Sequence, residues 1–364
     1  MKINFVLVSL KTGGGNRVVF ELCNSLAKLG HQTEIICANN SNDGNTFKLS
    51  DNVVVSMVGS YSSNKLNKLF NIIKTLWFAR RKRKTQIVIL TDPIMSLFAF
   101  LLGTCKTYRF IQADDYRIFD DKHILRSNFQ LKIYKLFTKM SYQAKIKYIF
   151  NSTYTYKKFL EVSERKDIKN VLVHPAVNNQ YFYDRQIRSA NQINIAIVAR
   201  SHPGKGFIDF IDAIQGLRES NSEFINKVNN IYVISHDRLD SFNLSGMEVI
   251  VPNNDEEIAY YMNKSHIFVS NSWYEGFGLP PLEAMFCGCA VILTDSGVVN
   301  EYAILNHNCI MIESKNSTLL KESLVALIHD KFLRNKLSSN GSKLTNNFSW
   351  SISAKQLVDI LISE

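Results

Sequence analysis

Two doubly wound α/β domains, each a parallel sheet with helices on both faces, are what this sequence predicts, and three observations predict them. Short apolar runs alternate with helix-patterned segments along the chain, the arrangement that builds parallel sheets covered on both sides. The alternation breaks in the stretch VLVHPAVNNQYF at 171–182 and the polar stretch 184–191 behind it, and then restarts from a new strand. At 364 residues the chain is too long for one ordinary core, so a break near its middle marks two domains.

The first domain is expected over 1–184. It opens with a strand at 3–8, a glycine turn of Gly13, Gly14 and Gly15, and a helix over 17–29 that Gly30 closes as a C-cap. Further strands are expected at 33–38, 53–58, 87–90, 108–112 and 148–151, each a short apolar run. The second domain is expected over 185–346, with strands at 193–198, 231–235, 248–251, 267–270 and 290–294. Between the first two of these lie a turn at 201–206 and a helix over 208–218. A last helix within 347–364 follows an aromatic knot at 348–350, and crossing back to the first domain is one option for it. Both halves are Rossmann-like. Ligands of such sheets sit at the carboxyl ends of the strands, which makes the crevice between the halves the expected site.

Composition narrows the function classes. Hydrophobic residues are 46% and charged residues 21% of the chain, as in a folded globular protein. The longest apolar run, 94–102, is about half of the roughly 20 residues that span a bilayer. The start, MKINFVLVSLK, has too short an apolar core for a signal peptide and reads as a buried strand, so the expected compartment is the cytoplasm. Cys23, Cys37, Cys105, Cys287, Cys289 and Cys309 are scattered among apolar neighbours and match no zinc pattern; they read as small buried hydrophobes. The eight histidines show no ligand spacing, and no metal is expected.

Charge is uneven. Residues 1–184 hold 28 Lys/Arg against 13 Asp/Glu, net +15, and the rest of the chain carries a net −4. Such asymmetry points to an anionic partner for the first half. Its main source is NKLNKLFNIIKTLWFARRKRK at 64–84, where Leu66, Leu69, Phe70, Ile73, Leu76 and Trp77 form one helical face followed by five cations. An amphipathic helix on an anionic bilayer and a packed helix with a solvated basic end both fit this pattern. No nucleic-acid-binding module is visible, and nucleic acid is not an expected partner.

The string with the most chemistry is YEGFGLPPLE at 274–283. A buried strand, 267–270, leads into it, and Pro280 and Pro281 suit the opening of a helix. A helix N-terminus offers unpaired N–H groups and a positive dipole end, which suits a diphosphate, and Gly276 and Gly278 let a ligand approach the backbone. Glu283 is then expected in the first helical turn. Glu275 and Glu283 would meet hydroxyl groups rather than phosphate, because like charges repel. For either glutamate alone, a helix-dipole or solvated role is equally open. At 199–206 the string ARSHPGKG places Arg200 and Lys205 directly after a strand, where two cations could neutralise a diphosphate, although a lone Arg or Lys in a loop is usually just solvated.

These strings, with the flanks AMFCGCAVI and TDSGVVNEY, resemble the E-x7-E signature of retaining family-4 glycosyltransferases of GT-B fold, of bacterial surface-polysaccharide type. The likeness is strong over the second half and weaker over the first, where it rests on GGGNRV, LGHQ and the strand rhythm. It implies two Rossmann-like domains facing across a cleft. It implies that Glu283 binds the ribose, that Glu275 lies against the transferred sugar, and that amides near Phe277, Gly278 and Leu279 contact sugar and phosphate. The segment ending at Glu301 would border the same pocket, Arg200 and Lys205 would hold the donor phosphates, and Gly14 and Gly15 would lie near donor phosphate and acceptor.

The acceptor side is less clearly marked. RFIQADDYRIF at 109–119 offers Gln112 and Asp115, while the His that many family members carry there is absent; a solvated polar loop reads equally well. Asp114 and Asp115 also invite a metal reading, but the family binds its donor without one. Gly13-x-Gly15 is half a dinucleotide fingerprint whose third position, Val18, is not glycine. The expected reaction is transfer of a hexose-type sugar, with retention, from a nucleoside-diphosphate donor to a glycan or lipid-linked glycan. No cofactor is expected, and a peripheral position on the inner face of the plasma membrane is an option. A nucleotide-sugar epimerase of the same fold and a non-catalytic carbohydrate-binding relative remain open.

Overall fold

The computed structural model describes residues 1–11, 13–41, 48–81, 86–103, 106–117, 119–120, 127–189, 191–220 and 226–363. Cys105, residues 82–84 of the basic run and Ile118 lie outside the described residues.

The chain forms two compact units, one of Met1–Ala176 with Trp350–Glu364 and one of Val177–Ser349. In the first, the strands are β1 (Lys2–Leu7), β2 (Gln32–Ala38), β3 (Val53–Val58), β4 (Gln86–Leu90), β5 (Lys106–Ile111) and β6 (Lys147–Phe150), and the helices are α1 (Gly14–Lys28), α2 (Lys65–Arg81), α3 (Pro93–Leu97), α4 (Asn128–Ser141) and α5 (Thr153–Ser163). In the second, the strands are β7 (Ile193–Val198), β8 (Val228–Ile234), β9 (Glu248–Ile250), β10 (Ile267–Ser270), β11 (Ala290–Thr294) and β12 (Cys309–Ile312). Its helices are α6 (Phe207–Ser220), α7 (Asp255–Lys264), α8 (Leu279–Phe286), α9 (Ser317–His329) and α10 (Lys331–Ser342); α11 (Trp350–Ser363) follows.

Each sheet has six parallel strands, in the orders β3-β2-β1-β4-β5-β6 and β12-β11-β10-β7-β8-β9. Read from the edges, the two orders are one topology used twice, a repeat with no counterpart in the amino-acid sequence. The central strands are covered on both faces, which is why β10 and β11 read as apolar runs rather than alternating ones and β1 and β7 are interrupted only by the buried Asn4 and Asn194. Val6, Ile36, Val88 and Leu90 of the first sheet pack on Ile72, Leu76 and Ala79 of α2, and Ile195, Ile197, Val233, Val269 and Ile292 of the second belong to the core shared with α6 and α9. α11 lies in the first unit against α1, where Lys106 Nζ donates to the Leu361 carbonyl at 3.2 Å and Ser353 Oγ to the His174 carbonyl at 2.6 Å. The chain enters the second unit at Val177, so the polar 184–189 stretch lies inside that unit, where Arg188 Nε donates to the Ser265 carbonyl at 2.9 Å.

Two sequence expectations are corrected. The apolar face read along 64–84 is not the packed face of α2. Asn71, Ile72, Thr75, Leu76 and Ala79 are buried, whereas Leu66, Phe70 and Trp77 are exposed. The helix packs on one stripe and shows a second, with Lys74 Nζ 4.5 Å from the Phe70 ring and the Arg81 guanidinium 3.5 Å from the Trp77 ring. Glu283 is not in the first turn of its helix. α8 begins at Leu279, so the glutamate stands one turn further in. The five described cysteines are all buried free thiols, and burial raises the thiol pKa of each. No helix among the described residues is long and apolar enough to cross a membrane.

Candidate functional site

In the second sheet the strand order reverses between β7 and β10, the switch point at whose carboxyl ends ligands of such sheets bind. The loops after these two strands are 199–206 and 271–278. The backbone stitches them together: Trp273 N donates to the Gly204 carbonyl at 2.8 Å, and Asn271 Nδ2 donates to the Gly206 carbonyl. Gly206 makes that approach possible. It sits at φ +65°, and a Cβ there would stand 2.0 Å from the Asn271 carbonyl oxygen. Trp273 Nε1 donates to Asp209 Oδ2 at 2.7 Å, tying the second loop to the start of α6. Burial pushes the Asp209 carboxyl up from its ordinary value, and the indole N–H opposes the shift.

The charged side chains follow from this stitching. Lys205 Nζ meets Glu275 Oε1 at 2.9 Å, although 70 residues separate them in the chain. Arg200 Nε stands 3.4 Å from Asp237 Oδ2, at the end of β8, and the same oxygen accepts from Ser201 N at 2.8 Å and Ser201 Oγ at 3.0 Å. The Arg200 side chain is 41% exposed and that of Lys205 35%. Ion pairs this exposed contribute about 0–1 kcal/mol, so each cation can pass to a stronger anionic ligand at small cost. A diphosphate is such a ligand, because its charge is concentrated and it accepts several hydrogen bonds.

The helix that follows supplies a wall. Gly278 caps α8 at φ +81°, and its carbonyl accepts the Tyr302 hydroxyl at 2.6 Å. Tyr302 is buried against Phe277 and Phe348, with ring centroids 5.7 and 6.2 Å away, and burial raises its phenol far above the ordinary range. Phe277 and Leu279 are buried, and Glu283 is 2% exposed on α8. Glu301 ends the 3-10 turn Val298–Glu301, adjacent to Tyr302. Positions 200, 205, 275, 277–279, 283 and 301, which the sequence expects on the donor side, thus come from four segments of one unit.

In the first unit, Gly14 and Gly15 open α1 after β1. Asn16 Nδ2 donates to the carbonyls of Ser9 and Lys11 at 3.0 and 2.8 Å and shapes the turn. Gln112, just past β5, lies against it: a Cβ on Gly15 would stand 3.7 Å from Gln112 Oε1. Asp115 faces inward instead, with Oδ2 2.5 Å from Nη2 of the fully buried Arg109. Burial pushes its carboxyl up to about 6 against the pull of Arg109, with Asp92 and Asp114 adding to the rise. Among the described residues no cluster of three or more His, Cys, Asp or Glu could hold a metal ion.

Sequence reasoning did not single out Asp237, Asn271, Trp273 or Tyr302. Each acts on a residue 24 to 65 positions away, and no local string announces such a pairing.

Comparison with known proteins fits this arrangement. Residues 182–344 match the family described as Glycosyl transferases group 1. An uncharacterized glycosyltransferase of Methanocaldococcus jannaschii is 29% identical over 201 residues, 53% of this chain and 54% of that protein. The O-antigen chain mannosyltransferase B of Escherichia coli is 28% identical over 105 residues, 29% of this chain and 27% of that one. The chain therefore spans about half the length of the first of these relatives and less of the second. Among solved structures, the fold is similar to sucrose-phosphate synthase from Thermosynechococcus elongatus (TM-score 0.82, 15% identity, covering 100% of this chain and 98% of that one). It is also similar to Anabaena HepE in complex with UDP and glucose (TM-score 0.73, 15% identity, covering 100% of each). The two parallel-sheet units are the GT-B pair of Rossmann-like domains.

Proposed function

With a Glycosyl transferases group 1 domain over 182–344 as the premise, we propose that this protein is a retaining glycosyltransferase that moves a hexose-type sugar from a nucleoside diphosphate to a glycan or lipid-linked glycan. The observation that carries the proposal is the pair of stitched loops after β7 and β10, which bring Arg200, Lys205 and Glu275 to one edge of the sheet. The UDP and glucose bound by HepE and the mannosyl transfer in the name of the O-antigen relative support a nucleotide-sugar donor and a surface-glycan product.

On this reading the diphosphate draws Lys205 from Glu275 and Arg200 from Asp237. Glu275 is then free to accept hydroxyls of the sugar, Glu283 takes the ribose, and Glu301 borders the sugar pocket. The amides at 277–279 meet sugar and phosphate, and Gly14 and Gly15 lie beside the donor phosphate. The acceptor hydroxyl forms its bond to the anomeric carbon on the face from which the phosphate departs. The bond from that carbon to the phosphate oxygen breaks, and the leaving diphosphate takes the acceptor proton. Negative charge grows on the leaving oxygen, where two cations stabilise the transition state more than the ground state. No cofactor or metal takes part, and Gln112 borders the acceptor, while Asp115, the other residue expected there, is turned toward Arg109 behind it.

The first unit supplies the acceptor's setting, at the cytoplasmic face of an anionic membrane. The exposed Leu66, Phe70 and Trp77 of α2, with Lys74 and Arg81 laid over two of the rings, support this, as do exposed Phe129, Leu136 and Met140 on α4. Incubation with UDP-, GDP- and dTDP-sugars, following acceptor-dependent release of nucleoside diphosphate, tests the catalytic reading. Binding without turnover on any acceptor, or no binding at all, refutes it.

A further inference from the structure

Arg109 is the largest fully buried side chain of the described residues, and its charge is an expensive thing to bury. It stands near the end of β5, in the first unit. Nη2 meets Asp115 at 2.5 Å, Nη1 donates to Ser96 Oγ on α3 at 3.1 Å and lies 3.5 Å from Ser141 Oγ at the end of α4, and the guanidinium is 6.0 Å from the Tyr142 ring. One guanidinium thus joins a strand, two helices and a loop. Apolar residues of similar volume in place of both partners of the Arg109–Asp115 pair would often cost nothing in stability, so packing alone gives no reason for a buried ion pair here.

The loop is the informative partner. Two anchors hold the start of the segment between β5 and α4. Asn151 Nδ2, past β6, donates to the Gln112 carbonyl at 2.7 Å, and three residues on, Asp115 receives Arg109 through its side chain and the Tyr134 hydroxyl through its carbonyl at 2.8 Å. The Gln112 amide, beside the first anchor, is the group that lies against Gly15. We propose that Arg109 is a positioning residue: its buried bridge to Asp115 fixes the 112–117 loop so that Gln112 is held against the glycine turn at the start of α1. The inference rests on the reading that Gln112 and Gly15 face substrate.

The bridge has a pH range. The groups facing Asp115 are Arg109 from β5, Asp92 at the N-cap of α3, Asp114 on the loop itself, Tyr134 from α4 and Tyr142 just past its end. Asp114 is held by Arg117, which also reaches Glu161 of α5. Burial is the largest influence and sets the Asp115 carboxyl at about 6, so the ion pair is complete above neutrality and loses its charge below about pH 6.

Hydrogen exchange on the full-length protein tests this, with rates corrected for intrinsic pH dependence. Arg109→Met is expected to raise exchange in 112–117 about tenfold, the loss of one charge-assisted bond, with Arg109→Lys between it and wild type. Asp115→Asn, which cannot form the ion pair, is expected to show the same rise at pH 7.5. Exchange that is unchanged in Arg109→Lys and Asp115→Asn, or that rises equally across the whole first unit, overturns the proposal. The exchange result stands apart from the functional reading. UDP-glucose hydrolysis measured in parallel should fall in step with loop protection, and a wild type that neither binds nor hydrolyses nucleotide sugars counts against the functional reading while the loop result still decides the role of Arg109.

Discussion

Gly206→Ala should separate the two loops after β7 and β10, the proposed donor side, through the backbone alone. The residue sits at φ +65°, where a side chain costs about 1–2 kcal/mol. The new Cβ would lie 2.0 Å from the Asn271 carbonyl oxygen and 3.0 Å from its carbon. Both are backbone atoms, so the two loops must separate. Separation lengthens the Asn271 bond to the Gly206 carbonyl and the 2.8 Å bond from Trp273 N to the Gly204 carbonyl. At about 1 kcal/mol for each hydrogen bond, the loss totals about 3 kcal/mol or more. For a unit of this size that lowers the melting temperature by roughly 6–12 °C. Gly216→Ala is the contrasting control. It lies inside α6, its Cβ would meet only the Lys321 side chain at 3.7 Å, and alanine favours a helix interior by about 1 kcal/mol, so this variant should melt slightly higher. The assay is thermal unfolding followed by calorimetry, with UDP-glucose binding measured on each variant below its transition. If Gly206→Ala melts and binds like wild type, the loops are not joined as described and the placement of Lys205 beside Glu275 loses its basis.

Other consequences are as definite. Tyr302→Phe removes the hydroxyl that holds the Gly278 carbonyl and should cost about 1 kcal/mol in stability, read by denaturant midpoint, while Phe348 and Phe277 keep the ring in place. The Asp115 carboxyl is raised in the folded state, so folding favours its protonated form and the ionised form weighs against stability as pH rises from about 4 through about 6. The melting temperature of Asp115→Asn should therefore gain on wild type over that interval and level off above it; a gap that moves the other way would mean Arg109 outweighs burial. Native protein should expose at most one thiol to Ellman's reagent, because the five described thiols are buried with raised pKa values; two or more reacting thiols would contradict their burial.

Much of this was legible in the sequence, for reasons that can be named. β7, β10 and β11 run over the residues their apolar content predicts, because a doubly covered parallel strand has little polar face to blur its ends; β3 also matches, although it is a largely exposed edge strand whose VVVSMV run carries the pattern by itself. β12 was not foreseen: CIMI is four residues long with polar neighbours, and a short edge strand carries little pattern. α2 was recognised as a helix, but its packed face was misread, because Leu66, Phe70 and Trp77 make the stronger stripe and yet stay in solvent. At the site, YEGFGLPPLE and ARSHPGKG stood out as strings because each is local. That Lys205 would touch Glu275, Arg200 would face Asp237, or Asp115 would turn toward a buried arginine depended on strands brought together by topology, which spacing along the chain does not express.

The most direct test of the central claim is calorimetric titration of UDP-glucose and GDP-mannose into wild type, Arg200→Ala and Lys205→Ala at matched salt. The account predicts that wild type binds one nucleoside diphosphate sugar and that each variant binds the same ligand about tenfold or more weakly, the loss of one charge-assisted contact to phosphate. Binding that survives both substitutions undiminished would contradict it.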